Sequence, residues 1–165
     1  MPPPWLPSSL LRPLSSLLLS TALLSPVAAL AQYSYSADGS EVTDSITGLT
    51  WRRCAEGMAW SSGTCTGTAA TYTHEGALQQ ASSQATASKA WRLPNVLELS
   101  SITKAGEASS PSIDTTAFPG TPSSEFWSSS PHVRDSDYAW YVSFENGVVK
   151  YYDGRDRNYY VRLVR

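Results

Sequence analysis

From Glu125 to the last residue, short runs rich in aromatic and β-branched side chains alternate with turn residues: Glu125–Pro131, Tyr138–Tyr152 and Tyr159–Arg165. This pattern predicts consecutive antiparallel strands. Asn146-Gly147 between two such runs predicts a two-residue type I′ hairpin, because both central residues of that turn take φ > 0. Such a turn sets Glu145 opposite Val148, Phe144 opposite Val149 and Val142 opposite Tyr151. With side chains alternating along a strand, Val142, Phe144, Val149 and Tyr151 share a core-facing side. Ser143 opposite Lys150 and Tyr141 opposite Tyr152 then form a mixed outer side. In the last run Val161 and Leu163 fall on one side, with Arg162 and Arg165 off it or at its end. A chain ending inside a strand predicts that the domain depends on that strand.

Upstream, the period lengthens. Thr73 to Lys89 reads as a helix capped by Thr73, with Ala77, Leu78, Ala81 and Ala85 on one small apolar face. Trp91-Arg92-Leu93-Pro94 is extended, since the residue before a proline avoids helix. Asn95 with Glu98 three residues on predicts a capping box that opens a second helix, with Val96, Leu99 and Ile102 as its stripe and an end near Lys104. Residues Gly106 to Pro122 are rich in Ser, Thr, Pro and Gly, and predict a long loop pinned by Ile113 and Phe118. Nearer the start, residues 32–43 read as a lead-in or edge strand, Asp44–Gly48 as a turn, Leu49–Arg53 as a strand and Ala55–Thr71 as a loop. Helices segregated from antiparallel strands make an α+β domain over residues 44–165.

Composition adds an address. Arg12, the apolar run Leu17–Leu24 and the small residues Ala29 and Ala31 have the form of a secretory leader over residues 1–31. The run is short for a membrane span, and Pro2, Pro3, Pro4, Pro7 and Pro13 argue against a buried N-terminal helix. Residues 32–165 then form one domain of 134 residues, with 11 basic and 14 acidic side chains and a net charge of −3. That balance argues against a nucleic-acid partner, and no later stretch is apolar enough to cross a bilayer. Two cysteines, Cys54 and Cys65, in an exported chain predict a disulfide.

Five blocks occur in one order: Asp44-Ser45-Ile46-Thr47-Gly48-Leu49-Thr50-Trp51-Arg52-Arg53-Cys54; Trp91-Arg92-Leu93-Pro94-Asn95 with Glu98-Leu99; Phe126-Trp127-Ser128-Ser129-Ser130; Ala139-Trp140-Tyr141-Val142 with Phe144 and Gly147; and Val161-Arg162-Leu163-Val164-Arg165. Together they resemble the Lcl C-terminal domain family of exported bacterial domains. The resemblance implies a C-type-lectin-like fold, with two helices packed on antiparallel sheets, a long irregular loop and the C-terminal strand in the sheet. It also implies adhesion and glycan binding. The chain lacks collagen-like Gly-x-y repeats, and lacks the Glu-Pro-Asn or Gln-Pro-Asp and Trp-Asn-Asp signatures of calcium-dependent lectins.

Other chemistries are weighed against this. Ser128, Ser129 and Ser130 near His132 have no Gly-x-Ser-x-Gly elbow around them, and read as small strand residues. Glu98 and Asp114 are a carboxylate pair in name only. Trp51, Trp91, Trp127 and Trp140 read as core, and Arg92 as an ion-pair partner of Glu98. Asp153, Asp156 and Asn158 are oxygen donors of the kind calcium takes, but Arg155 and Arg157 compete for their carboxylates; calcium stays an alternative, and no cofactor is expected. Tyr152, Asp153, Arg155, Asp156 and Asn158, with Tyr141, combine aromatic faces with polar groups in a way that suits sugars or protein partners. These six are the predicted ligand contacts. The expected function is an exported, non-catalytic binding module for a glycan or a cell-surface protein, in the periplasm or at the cell surface. The rivals are an enzyme of formylglycine-generating type, which needs reactive cysteines, and a structural subunit of an envelope assembly.

Overall fold

The computed structural model describes residues 31–104, 106 and 109–165. All of the predicted leader except Ala31 lies outside the described residues. Among the described residues ten strands and two helices follow one another: β1 (Tyr33–Tyr35), β2 (Glu41–Asp44), β3 (Thr50–Arg52), β4 (Ala59–Ser61), β5 (Thr64–Thr66), β6 (Thr71–Tyr72), α1 (His74–Gln84), α2 (Val96–Ser101), β7 (Glu125–Pro131), β8 (Ala139–Ser143), β9 (Val148–Lys150) and β10 (Tyr159–Tyr160). The α+β class holds. The strands form three sheets, ordered β1-β2-β3, β4-β5 and β6-β10-β7-β8-β9. The lead-in is thus a strand, and the stretch expected as a bare loop over Ala55–Thr71 carries a hairpin and β6.

Both helix starts follow the sequence. Thr73 caps α1 by accepting from the Gly76 amide, and Asn95 and Glu98 form a reciprocal capping box on α2. The α1 helix stops at Gln84, short of Lys89, so Ala85 lies beyond it. Ala77 and Ala81 are buried as expected, Leu78 is exposed, and His74 takes a core position instead.

Alternation along β7 divides the core. Phe126 joins Val42, Trp51, Leu99, Ile113, Phe118, Val142 and Phe144 in one cluster, while its neighbour Trp127 joins Ala77, Ala81, Trp91, Leu93, Tyr141 and Leu163 in another. The five-stranded sheet therefore carries a core on each face, α2 residues against one and α1 residues against the other. Ile113 and Phe118 pin the long loop as predicted.

The hairpin register is a correction. Ser143 pairs with Val148, Val142 with Val149 and Tyr141 with Lys150. The loop has four residues because Phe144 leaves the ladder. Its amide donates to the Ser124 carbonyl, its carbonyl accepts from Ser112, and its ring packs edge-on against Phe126. Among the loop residues Gly147 alone takes a positive φ, at 74°, and the Asn146 side chain accepts from Val148. The two-residue shift preserves which side chains share a face, but the outer side is not a surface: Tyr141 and Ser143 are buried, whereas Val149 and Tyr151 are exposed. Consecutive positive φ values, the mark of a type I′ turn, occur instead at Ser62-Gly63 between β4 and β5.

The C-terminal run also departs from expectation. β10 lies between β6 and β7, antiparallel to the first and parallel to the second. Leu163 and Arg165 then pair with β3, and Val164 pairs with Arg92. The terminus thus joins the five-stranded sheet to the three-stranded one. Arg162, expected off the core, is fully buried. Its guanidinium donates to the Arg52 carbonyl at 2.8 Å, to the Arg53 carbonyl and to Thr121 Oγ1 at 2.7 Å.

Candidate functional site

The predicted contact residues are spread over a crossover, not a hairpin turn. After β9 the chain passes back across the sheet to β10. Asp153 anchors this crossover: its Oδ2 accepts from the Tyr141 hydroxyl and, at 2.7 Å, from the Tyr159 hydroxyl. Those two phenols hold the Asp153 carboxyl below its ordinary value. Burial, reinforced by the same carboxylate, raises both tyrosines. Tyr141 is 1% exposed, so it supports the crossover from the core and has no outer face. Its predicted role as a surface contact is corrected on that ground: it lies on the side of β8 that Trp127 and Tyr159 cover.

Arg155 is tied on three sides. Its amide donates to the Asp137 carbonyl at 2.9 Å, its Nε to the Tyr138 carbonyl at 3.1 Å, and its carbonyl accepts from His74 at 2.9 Å. Hollows of about 360 Å³ and 520 Å³ flank it, the first against Ser136, Asp137 and Asp156, the second against His74, Glu75 and Leu78. Gly154 lets the Asp156 carboxylate close in, since a Cβ there would meet Asp156 Oδ1 at 2.7 Å. Asn158 is exposed. At the floor of the larger hollow His74 is buried, with Nε2 3.0 Å from the Ser128 carbonyl and the ring edge-on to Trp127. Burial lowers its pKa, and the nearby Arg155 charge acts in the same direction.

Tyr152 is 63% exposed. It starts a row the sequence did not reveal. Tyr152 contacts Tyr151 at 5.9 Å between ring centroids, Tyr151 lies parallel to His132 at 4.6 Å, and Trp140 meets Tyr151 at 4.7 Å. Trp140 is half-buried and belongs to this row, correcting its reading as core. The shifted hairpin register explains the stacking, because it brings Trp140 and Tyr151 opposite each other just beyond the ladder. Next to this row β9 is a sheet edge, with Val148 and Val149 exposed.

A separate cleft of about 480 Å³ opens between β2, β3, the disulfide hairpin and the C-terminal end of α1. Cys54 and Cys65 form the predicted disulfide at its edge. Glu41 accepts from Lys89 and, at 2.8 Å, from Arg165. Glu56 accepts from Arg52 at 2.9 Å and from Gln80 at 2.8 Å. Arg52 also donates to Gln84 at 2.9 Å and lies over the Trp91 ring. Burial works against ionising Glu41, but its two basic partners outweigh that and keep its carboxyl below the ordinary value. Sequence reading missed this cleft because its walls come from four separate segments. The Arg52–Glu56 spacing was its one local sign.

The predicted Arg92–Glu98 pair is bidentate, both bonds 2.7 Å. Asp114 instead accepts from the amides of Thr116 and Ala117, so the two carboxylates serve different turns. Ser128 Oγ donates to the Trp140 carbonyl at 2.6 Å, as a strand residue would. Among the described residues no three His, Cys, Asp or Glu side chains gather around a point where an ion would sit. Among them, too, no helix is long and apolar enough to cross a membrane.

The family described as the Lcl C-terminal domain matches residues 40–165. This chain belongs to that family. No curated protein matches the chain. The Lcl C-terminal match begins at Ser40, just before β2, and runs through the terminal residues that bind β3 to the larger sheet.

Proposed function

We propose that this domain is an exported, non-catalytic binding module with a C-type-lectin-like fold, and that it recognises a glycan through the row His132, Trp140, Tyr151 and Tyr152. The observation that carries this reading is a stacked aromatic row in which Tyr151 and Tyr152 are exposed and His132 and Trp140 half-buried beneath them. Aromatic faces offer apolar patches to the C–H surfaces of sugar rings. Asp156, Asn158 and the hollows beside Arg155 supply hydrogen-bonding groups a short distance along the chain. Two helices, antiparallel strands and a long pinned loop support the lectin-like assignment. The disulfide supports export. It also leaves no free thiol among the described residues, which argues against a reactive-cysteine enzyme.

A glycan array probed with the processed chain tests the reading. Binding lost in Tyr152→Ala, with melting unchanged, is the expected result; a blank array overturns glycan recognition. The edge strand β9, with Val148 and Val149 uncovered, favours a second reading in which an extended segment of a surface protein adds to the sheet. A pull-down that recovers a partner from wild type but not from Val149→Pro supports that alternative.

A further inference from the structure

The cleft beside the disulfide has no part in the reading above. We propose that it is a second binding site, taking an uncharged saccharide unit. Its volume, about 480 Å³, lies in the range of small-molecule sites, roughly 300–1,000 Å³. Its lining joins Trp60, Met58 and the edge of Trp91 to Glu41, Arg52, Glu56 and Lys89.

The pairing of those charges selects the ligand. Glu41 is already matched by Lys89 and Arg165, and Glu56 by Arg52 and Gln80. A charged ligand that displaced one member of a pair would leave the other unmatched in a partly buried place. A hydroxyl need not. Each carboxylate keeps lone pairs beyond those in use, and Arg52 and Lys89 keep N–H groups, so a group that both donates and accepts adds to the network without displacing it. Charge-assisted hydrogen bonds of this kind are stronger than neutral ones. Ser40, Ser83 and Thr86 add hydroxyls around the rim. Trp60 is held in place: its Nε1 donates to the Asp38 carbonyl at 2.9 Å, and the Arg53 guanidinium covers one face of the ring, 4.1 Å from its centre. The α1 end, the β2–β3 strands and the disulfide-closed hairpin all hold the walls, so the site is formed before any ligand arrives.

Nitrogen-15 NMR of the processed chain reads the indole N–H signals of Trp60, Trp91 and Trp140 separately. The probes are maltose, cellobiose and N,N′-diacetylchitobiose, each raised to its solubility limit. The expected result is a saturable shift at Trp60 and Trp91 with at least one of them, weakened roughly tenfold or more in Ser83→Tyr, which crowds the mouth from an exposed helical position. Shifts at Trp140 alone overturn the cleft while leaving the outer aromatic row intact as a glycan site. Shifts at none of the three, or a Trp60 shift unchanged in Ser83→Tyr, also overturn it. Galactose and galacturonic acid test the charge class: tighter binding of the acid at Trp60 overturns the assignment to an uncharged sugar.

Discussion

Arg162 Nη2 donates to Thr121 Oγ1 at 2.7 Å, and this bond ties the last strand to the end of the long loop. The same guanidinium reaches the carbonyls of Arg52 and Arg53 and lies over Phe118. Among the described residues no carboxylate contacts it. Burial lowers its pKa to about 9, opposed by the more distant Glu56 charge, and it stays protonated at neutral pH. Replacing Arg162 by Met strands two buried carbonyls and a hydroxyl, each costing about 1–3 kcal/mol. The expected loss for Arg162→Met is about 3–5 kcal/mol, measured by urea unfolding. Arg162→Lys keeps the charge but not the fork, and is expected to fall between the two.

The terminal residues carry a related prediction. Val161, Leu163 and Val164 are fully buried, and Leu163, Val164 and Arg165 bond both β3 and Arg92. A chain ending at Tyr160 loses the segment that continues β10 and hydrogen-bonds to β3 and Arg92. It is expected to lack a cooperative thermal transition, which circular dichroism would reveal directly.

The disulfide closes a short loop, with 11 residues of sequence separation between Cys54 and Cys65. Chain-entropy estimates for loops of this size give about 3 kcal/mol. Cys54→Ala/Cys65→Ala is therefore expected to unfold at lower urea by about that amount. Because the hairpin also forms one wall of the cleft, opening it should broaden the Trp60 indole signal while leaving Trp140 sharp.

His74 predicts a pH dependence. Its pKa is below the ordinary 6.5 in the folded chain, first through burial and then through Arg155. The folded state therefore prefers the neutral ring, and the unfolded chain binds the proton more readily. Stability from this group is complete above pH 6.5 and falls as pH drops below it. The slope reaches at most about 1.4 kcal/mol per pH unit. His74→Gln is expected to flatten the urea midpoint in the range before carboxylates titrate near pH ~4. A parallel decline in both proteins would assign the slope elsewhere.

The features legible in the sequence are those that act within a few residues. Thr73, the Asn95–Glu98 box, the paired cysteines, and the apolar anchors Ile113 and Phe118 each do locally what their types favour. What escaped depends on distant partners. Asn146-Gly147 carries the chemistry of a tight turn, yet Ser112 and Ser124 draw Phe144 out of the ladder and widen it. Val161–Arg165 alternates as an ordinary strand would, yet its backbone serves two sheets, so every side chain from 161 to 164 is enclosed. Arg162 looked like an outward residue because alternation says nothing about a second layer. The candidate site divides in the same way. Tyr152, Arg155, Asp156 and Asn158 are candidates that the sequence itself offers, while His132 joins the aromatic row and the walls of the cleft meet only through the topology.

Tyr141 and Tyr152 separate support from contact. The two rings are 6.3 Å apart, one buried and one exposed. Tyr141→Phe removes one of the two phenols that hold Asp153 and leaves its other contacts in place. It is expected to cost about 1–2 kcal/mol in urea unfolding, with glycan affinity unchanged once the folded fraction is allowed for. Tyr152→Ala removes an exposed ring with few partners, so its stability should stay within about 0.5 kcal/mol of wild type, while affinity for any array-positive glycan falls. Titrating both variants with that glycan checks the pair. If Tyr141→Phe loses affinity at full folding and Tyr152→Ala does not, recognition works through the Asp153 anchor and not through the outer aromatic row.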